Sequence, residues 1–406
     1  MLYTKGNTEY TPADVGYDES RLDVLNRHFQ KMVDDNEIYG SAYCLSRKGK
    51  VFAHGAIGYK TFKKDPKLLV SPTDTHYIAS VTKVFTGVAI MKLVEDGITR
   101  LDVAVGEILP QFNSPPFDKI NLFQLLTHTS GMHPDGGCFP NKHNQGGYWH
   151  FIENGYKAHM LDKSKKKGAK KDDSSSFDWI AAALAHGVSM EPDKQWQYCS
   201  FGYSILGEVI RKLTGIHAHT YIEDYICKPL SLTDTAFDVS VDVAKRYMIH
   251  SKDSQKYIDR VLSGKKRIEE FPWDTIPSTG GGLSSSVMDM VRFGNMMLHN
   301  GTFDGVRILG RKAVEKMTAI VISKPNYCWG TDGSLRTYGI GFDHRNGTEF
   351  SFSGSTYMHE GAGACALYID PEEQLVAAWI IPFVDRDIWC TRAMYSTVNI
   401  IWSGLR

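Results

Sequence analysis

Strand-like segments stand at both ends of this chain, with helical patterns between them. Near the N-terminus, residues 41–46 and 51–59 alternate or run apolar on either side of a short basic turn. This is the pattern of a β-hairpin. The last hundred residues hold four further segments of the same character, at 334–342, 349–353, 364–369 and 376–382. Strands at both termini predict one antiparallel sheet that the two ends of the chain build together.

The middle of the chain shows helical patterns, which predict a second, mainly helical lobe. The fold class is therefore α/β (α+β), with a central antiparallel sheet flanked by N- and C-terminal helices. We expect residues 1–79 and 272–406 to form the sheet lobe and residues 80–271 to form the helical lobe. Helical periodicity is lost between 133 and 176, where we expect a long irregular insertion.

A serine and a lysine three residues apart, Ser80 and Lys83, precede an apolar run from Val84 to Leu93. A helix that is apolar on nearly every side is usually buried at the centre of a domain. On a helix the serine and the lysine would share one face. A lysine can deprotonate a serine nucleophile if its pKa falls from ~10.4 towards ~7–8. The pattern is short and common by chance, so its meaning depends on partners elsewhere in the chain.

Composition excludes several classes of function. Lysine plus arginine equals aspartate plus glutamate at 46 each, which argues against general binding to nucleic acid or anionic membranes. No apolar run reaches the ~18 residues of a membrane span. The first residues lack a signal-peptide core, and the seven scattered cysteines form no C-x-x-C pair. We therefore expect a cytoplasmic protein with reduced thiols; a trimmed leader would instead imply a periplasmic or secreted one.

Four residues of the irregular segment could suggest a metal site, namely His133, Cys138, His143 and His150. Their spacing matches no standard ligand pattern. We therefore expect neither a metal nor another cofactor.

Three stretches occur in a recognisable order: Ser80-Val81-Thr82-Lys83, Tyr198-Cys199-Ser200 before a helix, and His359-Glu360-Gly361 before a late strand. This order resembles the serine β-lactamase and penicillin-binding protein superfamily, most closely the branch of class C β-lactamases, D-amino peptidases and related esterases. Neighbouring blocks agree, among them LLTHTSG at 125–131 and GGGLSS at 280–285. The resemblance spans about 40–381. It implies a β-lactamase/transpeptidase-like fold with the active site between the two lobes.

The resemblance also implies an acyl-enzyme mechanism. Ser80 would be the nucleophile, and Lys83 and the Tyr198 phenol would share the general-base and general-acid work. The backbone N–H groups of Ser80 and Ala362 would bind the oxyanion, each worth about 3–4 kcal/mol in the transition state. Substrate-binding and oxyanion residues would be Ser200, His359, Gly361 and Ala362.

Two positions depart from the family pattern. The second motif usually ends in Asn, but Ser200 has no amide to pair with a substrate. The third motif of β-lactamases begins with a lysine that holds a substrate carboxylate, whereas His359 is charged only part of the time near neutral pH. A rival alignment takes Phe352-Ser353-Gly354 as the third motif, with Ser355 supplying the oxyanion N–H and no cation. With either alignment the carboxylate clamp is weakened.

The weakened clamp favours a serine hydrolase that acts on a small ester or amide. A β-lactamase or a D-stereospecific, DD-carboxypeptidase-like peptidase is the alternative. An acyltransferase or a non-catalytic penicillin-binding sensor module is the second alternative. In each case the partner is a small-molecule ester, amide or β-lactam. We expect His128 to be a buried hydrogen-bonding residue and Cys199 a packing residue.

Overall fold

The computed structural model describes residues 1–136, 147–164, 177–264, 275–345, 349–363, 365–382 and 389–406. Its strands are β1 (Tyr3–Lys5), β2 (Gly40–Arg47), β3 (Lys50–Gly58), β4 (Thr75–Tyr77), β5 (Ser284–Ser286), β6 (Thr302–Phe303), β7 (Val306–Arg307), β8 (Ile322–Pro325), β9 (Leu335–Tyr338), β10 (Asp343–His344), β11 (Tyr357–Gly361), β12 (Cys365–Asp370) and β13 (Leu375–Ile380).

The fold is organised around one antiparallel sheet. Within the described ranges it has nine strands, in the order β1-β3-β2-β13-β12-β11-β10-β9-β8, while β4–β5 and β6–β7 form two small ribbons. The two ends of the chain meet where β2 pairs with β13, with Arg47 opposite Leu375 and Ala42 opposite Ile380. The predicted α/β class and the antiparallel sheet built from both termini are confirmed.

Helices cover both faces of the sheet and fill the middle of the chain. They are α1 (Ser20–Asp34), α2 (Thr82–Glu95), α3 (Val105–Ile108), α4 (Leu122–Leu126), α5 (Gly147–Ser164), α6 (Trp179–Leu184), α7 (Ser200–Thr214), α8 (Ala218–Ile222), α9 (Val241–Lys245), α10 (Lys252–Leu262), α11 (Val287–Leu298), α12 (Arg311–Thr318) and α13 (Thr397–Trp402). π-helical turns continue α8 over Glu223–Cys227 and precede α13 over Trp389–Ser396. None of the helices in the described ranges has the length and hydropathy needed to cross a bilayer.

The central strands are buried on both faces because their alternate side chains enter two different cores. Cys44, Leu367 and Val376 belong to a core shared with α2 and α11. Their chain neighbours Leu45 and Tyr368 belong to a core shared with α1 and α13. This explains why the strands read as nearly continuous apolar runs. Helix α2 is buried along almost its whole length and stops before Gly97, whose φ of 72° is left-handed.

Two expectations about local structure are wrong. Residues 349–353 form no strand; the strand is Tyr357–Gly361, because Phe350 and Phe352 stack on each other 4.7 Å apart and cover the second core. The segment 133–176 is not irregular throughout, since it contains α5, whose Ile152 is fully buried and which packs against α6. The division into two lobes stays a prediction.

Buried histidines are expected to make the protein sensitive to acid. Burial lowers the pKa of His76 and of His359 to about 3 and that of His344 to about 4. These residues charge readily in the unfolded chain, whose histidines have a pKa near 6.5, but not in the folded one. Their contribution to stability is therefore complete above about pH 6.5 and is lost as the pH falls towards 4.

We expect the midpoint of urea unfolding to be lower at pH 5 than at pH 7. Buried carboxyl groups act in the opposite direction, because burial raises the pKa of Asp289 to about 7 and also raises the pKa values of Asp74, Glu223 and Asp343. Among the described residues, these four carboxyl groups are outnumbered by the histidines whose pKa burial lowers. An equal or higher midpoint at pH 5 would contradict this expectation.

Candidate active site

Ser80 lies in a tight turn at the head of α2. Residues Ala79–Val81 form one 3-10 turn that continues into the helix at Thr82. Ala79 has a φ of 43°, which is disfavoured for a residue with a Cβ and is common where a functional residue must be aimed. Ile78, which precedes Ala79, is fixed by two hydrogen bonds. Its N–H donates to Leu283 O (2.9 Å), and its carbonyl oxygen accepts from the Cys365 thiol (2.8 Å). Ser80 is partly exposed between two buried neighbours, so a ligand can reach its hydroxyl.

Lys83 is fully buried, and its ammonium group points at Ser80. Its Nζ donates to Ser80 Oγ (3.1 Å), Ser200 Oγ (2.9 Å) and Gly280 O (2.6 Å). Burial lowers the pKa of Lys83 to about 8, because desolvation of its ammonium group outweighs the attraction of the nearby Asp135 carboxylate. A useful fraction of the lysine is therefore neutral near physiological pH and able to accept a proton.

The Tyr198 phenol is hydrogen-bonded to the Ser80 hydroxyl. Its ring packs against His128 (centroids 4.4 Å apart) and Trp329 (5.2 Å), and Lys83 Nζ lies 4.7 Å from the ring centroid. Burial raises the pKa of Tyr198 well above its usual value of 10, so the phenol stays protonated. Ser80 thus stands between an amine that can accept a proton and a phenol that can donate one.

Ser200 begins α7 and connects Lys83 to a carboxylate that the sequence analysis missed. Asp135 Oδ1 accepts the Ser200 N–H (2.7 Å), and Asp135 Oδ2 accepts the Ser200 hydroxyl (2.5 Å). The Asp135 N–H in turn donates to Tyr198 O (2.8 Å). A carboxylate is favoured at a helix N-terminus, and this one also opposes the lowering of the Lys83 pKa. Asp135 follows the recognisable LLTHTSG block by four residues, which is the one signal that could have drawn attention to it.

His128 and Cys199 lie under the site. His128 Nδ1 accepts the backbone N–H of Cys199 (3.1 Å), and burial together with the nearby Lys83 holds the pKa of His128 well below its usual value. His128 is therefore a buried, neutral, hydrogen-bonded residue, as expected. The Cys199 thiol is buried and its pKa is raised to about 12, which fits a packing role.

His359 reaches the site from β11, but it carries no charge. Its Nε2 is hydrogen-bonded to the Tyr338 hydroxyl (3.2 Å) and its Nδ1 to the backbone of Glu360 (2.8 Å). Burial lowers the pKa of His359 to about 3, so the expected part-time charge near neutral pH is wrong. The neighbouring guanidinium groups are engaged as well: Arg336 pairs with Asp343 and Arg345 with Glu360.

The end of β11 runs directly beside the turn that holds Ser80. A side chain on Gly361 would collide with Ile78 O and lie 3.2 Å from Ala79 Cβ, so only glycine permits this approach. Ala362 follows, exposed at the same edge. The rival third motif lies elsewhere: Phe352 packs on Trp402 in the second core, and the Ser353 N–H donates to Asp370 Oδ2 (3.1 Å). The structure therefore brings His359-Glu360-Gly361 to Ser80 and leaves Phe352-Ser353-Gly354 away from it.

Gly361→Ala is expected to destabilise the protein by about 1–3 kcal/mol, because backbone must move to admit the new methyl group. The matched control is Gly354→Ala, since a Cβ at Gly354 would meet no atom within 4 Å. Urea unfolding of both variants measures the difference. Equal stability of the two variants would contradict the close approach of β11 to Ala79.

The described residues contain no group of three or more histidine, cysteine, aspartate or glutamate side chains arranged to hold a metal ion. Two of the four residues considered above, Cys138 and His143, lie outside the described ranges. Chemically, the arrangement around Ser80 suits acyl transfer: a reachable hydroxyl, an amine of lowered pKa, a protonated phenol and a backbone edge beside them.

Comparison with known proteins gives a family match. The Beta-lactamase family model matches residues 25–381. Protein flp of Staphylococcus aureus (strain MW2) is 29% identical over 226 residues, which are 54% of this chain and 38% of that protein. The chain thus spans well under half the length of this curated relative.

Solved structures share the fold. A novel penicillin-binding protein homologue from Caulobacter crescentus superposes with a TM-score of 0.69 at 16% identity, covering 96% of this chain and 99% of that one. A family VIII carboxylesterase superposes with a TM-score of 0.67 at 15% identity, again covering 96% and 99%. These two likenesses concern the fold alone. The family model covers most of the chain, so this protein belongs to the beta-lactamase family.

Proposed function

We propose that this protein is a serine hydrolase that forms an acyl-enzyme on Ser80 and acts on small esters or amides. The observation that carries the proposal is the contact between Ser80 Oγ and Lys83 Nζ, 3.1 Å apart, with a lysine whose pKa burial lowers to about 8. Family membership supports a hydrolase, and the shared fold of a family VIII carboxylesterase is compatible with one.

In the first half-reaction, neutral Lys83 accepts the Ser80 proton while Oγ attacks the substrate carbonyl carbon. The carbonyl π electrons move to oxygen, and the backbone N–H groups of Ser80 and Ala362 bind the resulting oxyanion. When the tetrahedral intermediate collapses, the bond to the leaving group breaks. The leaving oxygen or nitrogen takes its proton from the Tyr198 phenol, which the Lys83 ammonium then reprotonates.

In the second half-reaction, water attacks the acyl-enzyme and the same groups act in the reverse direction. Lys83 accepts the proton of the water, and the Ser80 oxygen leaves with a proton from the protein. The acid product departs and Ser80 is restored. If an alcohol replaces water, the same geometry supports acyl transfer.

The charges around Ser80 favour substrates without a carboxylate. His359 is neutral, and the guanidinium groups of Arg336 and Arg345 pair with carboxylates of the protein. A β-lactam would bring its carboxylate to a site where the described residues offer no unpaired guanidinium or charged imidazole to receive it, and an uncompensated charge is costly to desolvate. We therefore place esters and amides without a carboxylate ahead of β-lactams and of peptides that end in a carboxylate.

The test is covalent labelling. Incubation with a fluorophosphonate is expected to add one label to the protein, on the peptide that contains Ser80. Ser80→Ala is expected to remove both the label and the turnover of 4-nitrophenyl butyrate. The matched control is Ser355→Ala, because Ser355 is exposed and belongs to the rival alignment; its labelling and turnover are expected to stay unchanged.

Turnover that survives in Ser80→Ala, or a label on another residue, would sink the proposal. Rates with a chromogenic cephalosporin, measured on the same preparation, distinguish an esterase from a β-lactamase. A cephalosporin rate that exceeds the ester rate would favour the β-lactamase.

A further inference from the structure

A cavity of about 320 Å³ opens next to the proposed active site. The described residues that define it come from two places in the chain: Pro134 and Asp135 on one side, and Tyr148, Trp149 and Phe201 on the other. Phe201 follows Ser200 at the start of α7, so the cavity and the Lys83 contact share one helix end. The proposed mechanism makes no use of this cavity.

The cavity has aromatic walls. Tyr148 and Phe201 stack with ring centroids 4.6 Å apart, and Trp149 meets Phe201 edge-on at 5.6 Å. The Tyr148 hydroxyl is already engaged, since it accepts the His133 N–H (2.9 Å) and donates to Gly187 O (2.8 Å). Trp149 is 40% exposed at the cavity wall. These rings therefore present apolar and π surface to a ligand.

Among the described residues lining the cavity, Asp135 is the one with a formal charge at neutral pH. His133 also lines it, but burial lowers the pKa of His133, and its ring stacks on the uncharged ring of His186 4.0 Å away. Asp135 binds Ser200 through two hydrogen bonds, and the nearby Lys83 ammonium, which interacts with Asp135 electrostatically, donates its hydrogen bonds to Ser80, Ser200 and Gly280 instead. Its two oxygens retain lone pairs for a further partner.

We propose that this cavity binds a cationic ammonium group of the substrate, so that the enzyme prefers ammonium-bearing esters or amides to uncharged substrates of the same shape. Aromatic faces beside a carboxylate are the surroundings that attract alkylammonium ions. Ser200 and Lys83 connect Asp135 to Ser80, which places the ammonium site beside the acyl-transfer centre. The proposal rests on the proposed function and names the substrate class for it.

Matched esters test the preference. Butyrylcholine and its uncharged carbon isostere, 3,3-dimethylbutyl butyrate, differ in charge but hardly in shape. We expect kcat/KM to favour butyrylcholine at least tenfold. Comparing the two esters in one variant removes any effect of a substitution on the basal rate, which matters because Asp135 touches Ser200. A primary-amine ester of the same length then shows whether the site prefers a quaternary or a primary ammonium group.

Two substitutions test the residues. Asp135→Asn is expected to bring the ratio of kcat/KM for butyrylcholine to kcat/KM for 3,3-dimethylbutyl butyrate close to one. Trp149→Leu is expected to lower it severalfold, while Trp149→Phe, which keeps a π face, is expected to retain most of it. A ratio near one in the wild type, or a ratio that Asp135→Asn leaves unchanged, would overturn the ammonium site. Turnover of 4-nitrophenyl butyrate would in that case still support the hydrolase.

A binding measurement keeps the ammonium site testable without turnover. Choline is expected to bind the Ser80→Ala protein in calorimetry, and the added substitution Asp135→Asn is expected to abolish that binding. Absence of choline binding to the Ser80→Ala protein would overturn the proposal, even if ester hydrolysis were established.

Discussion

Replacing Lys83 with Met is expected to lower kcat/KM for 4-nitrophenyl butyrate by about 10³-fold or more, because the substitution removes the group that accepts the Ser80 proton. In the wild type, kcat/KM should rise with pH through a limb near pH 8, the pKa that burial gives Lys83. The variant should lack this limb. The matched control is Lys92→Met, at a partly exposed lysine on the same helix that pairs with Asp96. Its rate is expected to stay within about twofold of the wild type.

The same substitution should leave a signature in stability. The folded-state pKa of Lys83 is lowered from 10.5 to about 8, so its contribution to stability is present above the unfolded pKa and is lost as the pH falls through 8. Between pH 8 and pH 10 the wild type should therefore gain about 2 kcal/mol relative to Lys83→Met. Urea unfolding at several pH values measures this. Parallel pH dependences of the two proteins, or a variant with more than a tenth of the wild-type activity, would contradict the role given to Lys83.

Replacing Tyr198 with Phe is expected to lower kcat by about 10²–10⁴-fold for an ester with a poor leaving group, such as ethyl butyrate. The ring would still pack on His128 and Trp329, so the loss isolates the phenol hydroxyl. Since the pKa of Tyr198 is raised well above 10, the phenol acts in its protonated form and its part is to protonate the leaving group. A 4-nitrophenolate departs without a proton, so the loss should be much smaller with 4-nitrophenyl butyrate.

The control for this substitution is Tyr327→Phe, at an exposed tyrosine near Trp329. It is expected to change neither rate by more than about twofold. If Tyr198→Phe slowed both esters equally, its hydroxyl would be acting on Ser80 itself rather than on the leaving group. A loss smaller than tenfold with ethyl butyrate would remove Tyr198 from the mechanism.

Ordered motifs and local periodicity were enough to predict the fold class and the antiparallel sheet built from both ends of the chain. The apolar run after Lys83 predicted a buried helix, and α2 is buried along nearly its whole length. The prediction failed at 349–353 because two stacked phenylalanines imitate the alternation of a strand. It also missed α5, whose low amphipathicity leaves little trace of a helical period. In both places the local structure depends on packing against residues elsewhere in the chain.

The sequence by itself determined the sheet built from both ends of the chain, the helix headed by Ser80 and Lys83, and the order of the three motifs. These depend on residue type and spacing, which are local. Only the tertiary structure decided the charges around Ser80. Asp135 and Ser200 are 65 residues apart and meet only in the folded protein, so no local pattern could have paired them. Burial made His359 neutral and left Lys83 with a pKa of about 8, because the cost of desolvating a charge depends on everything that packs around it.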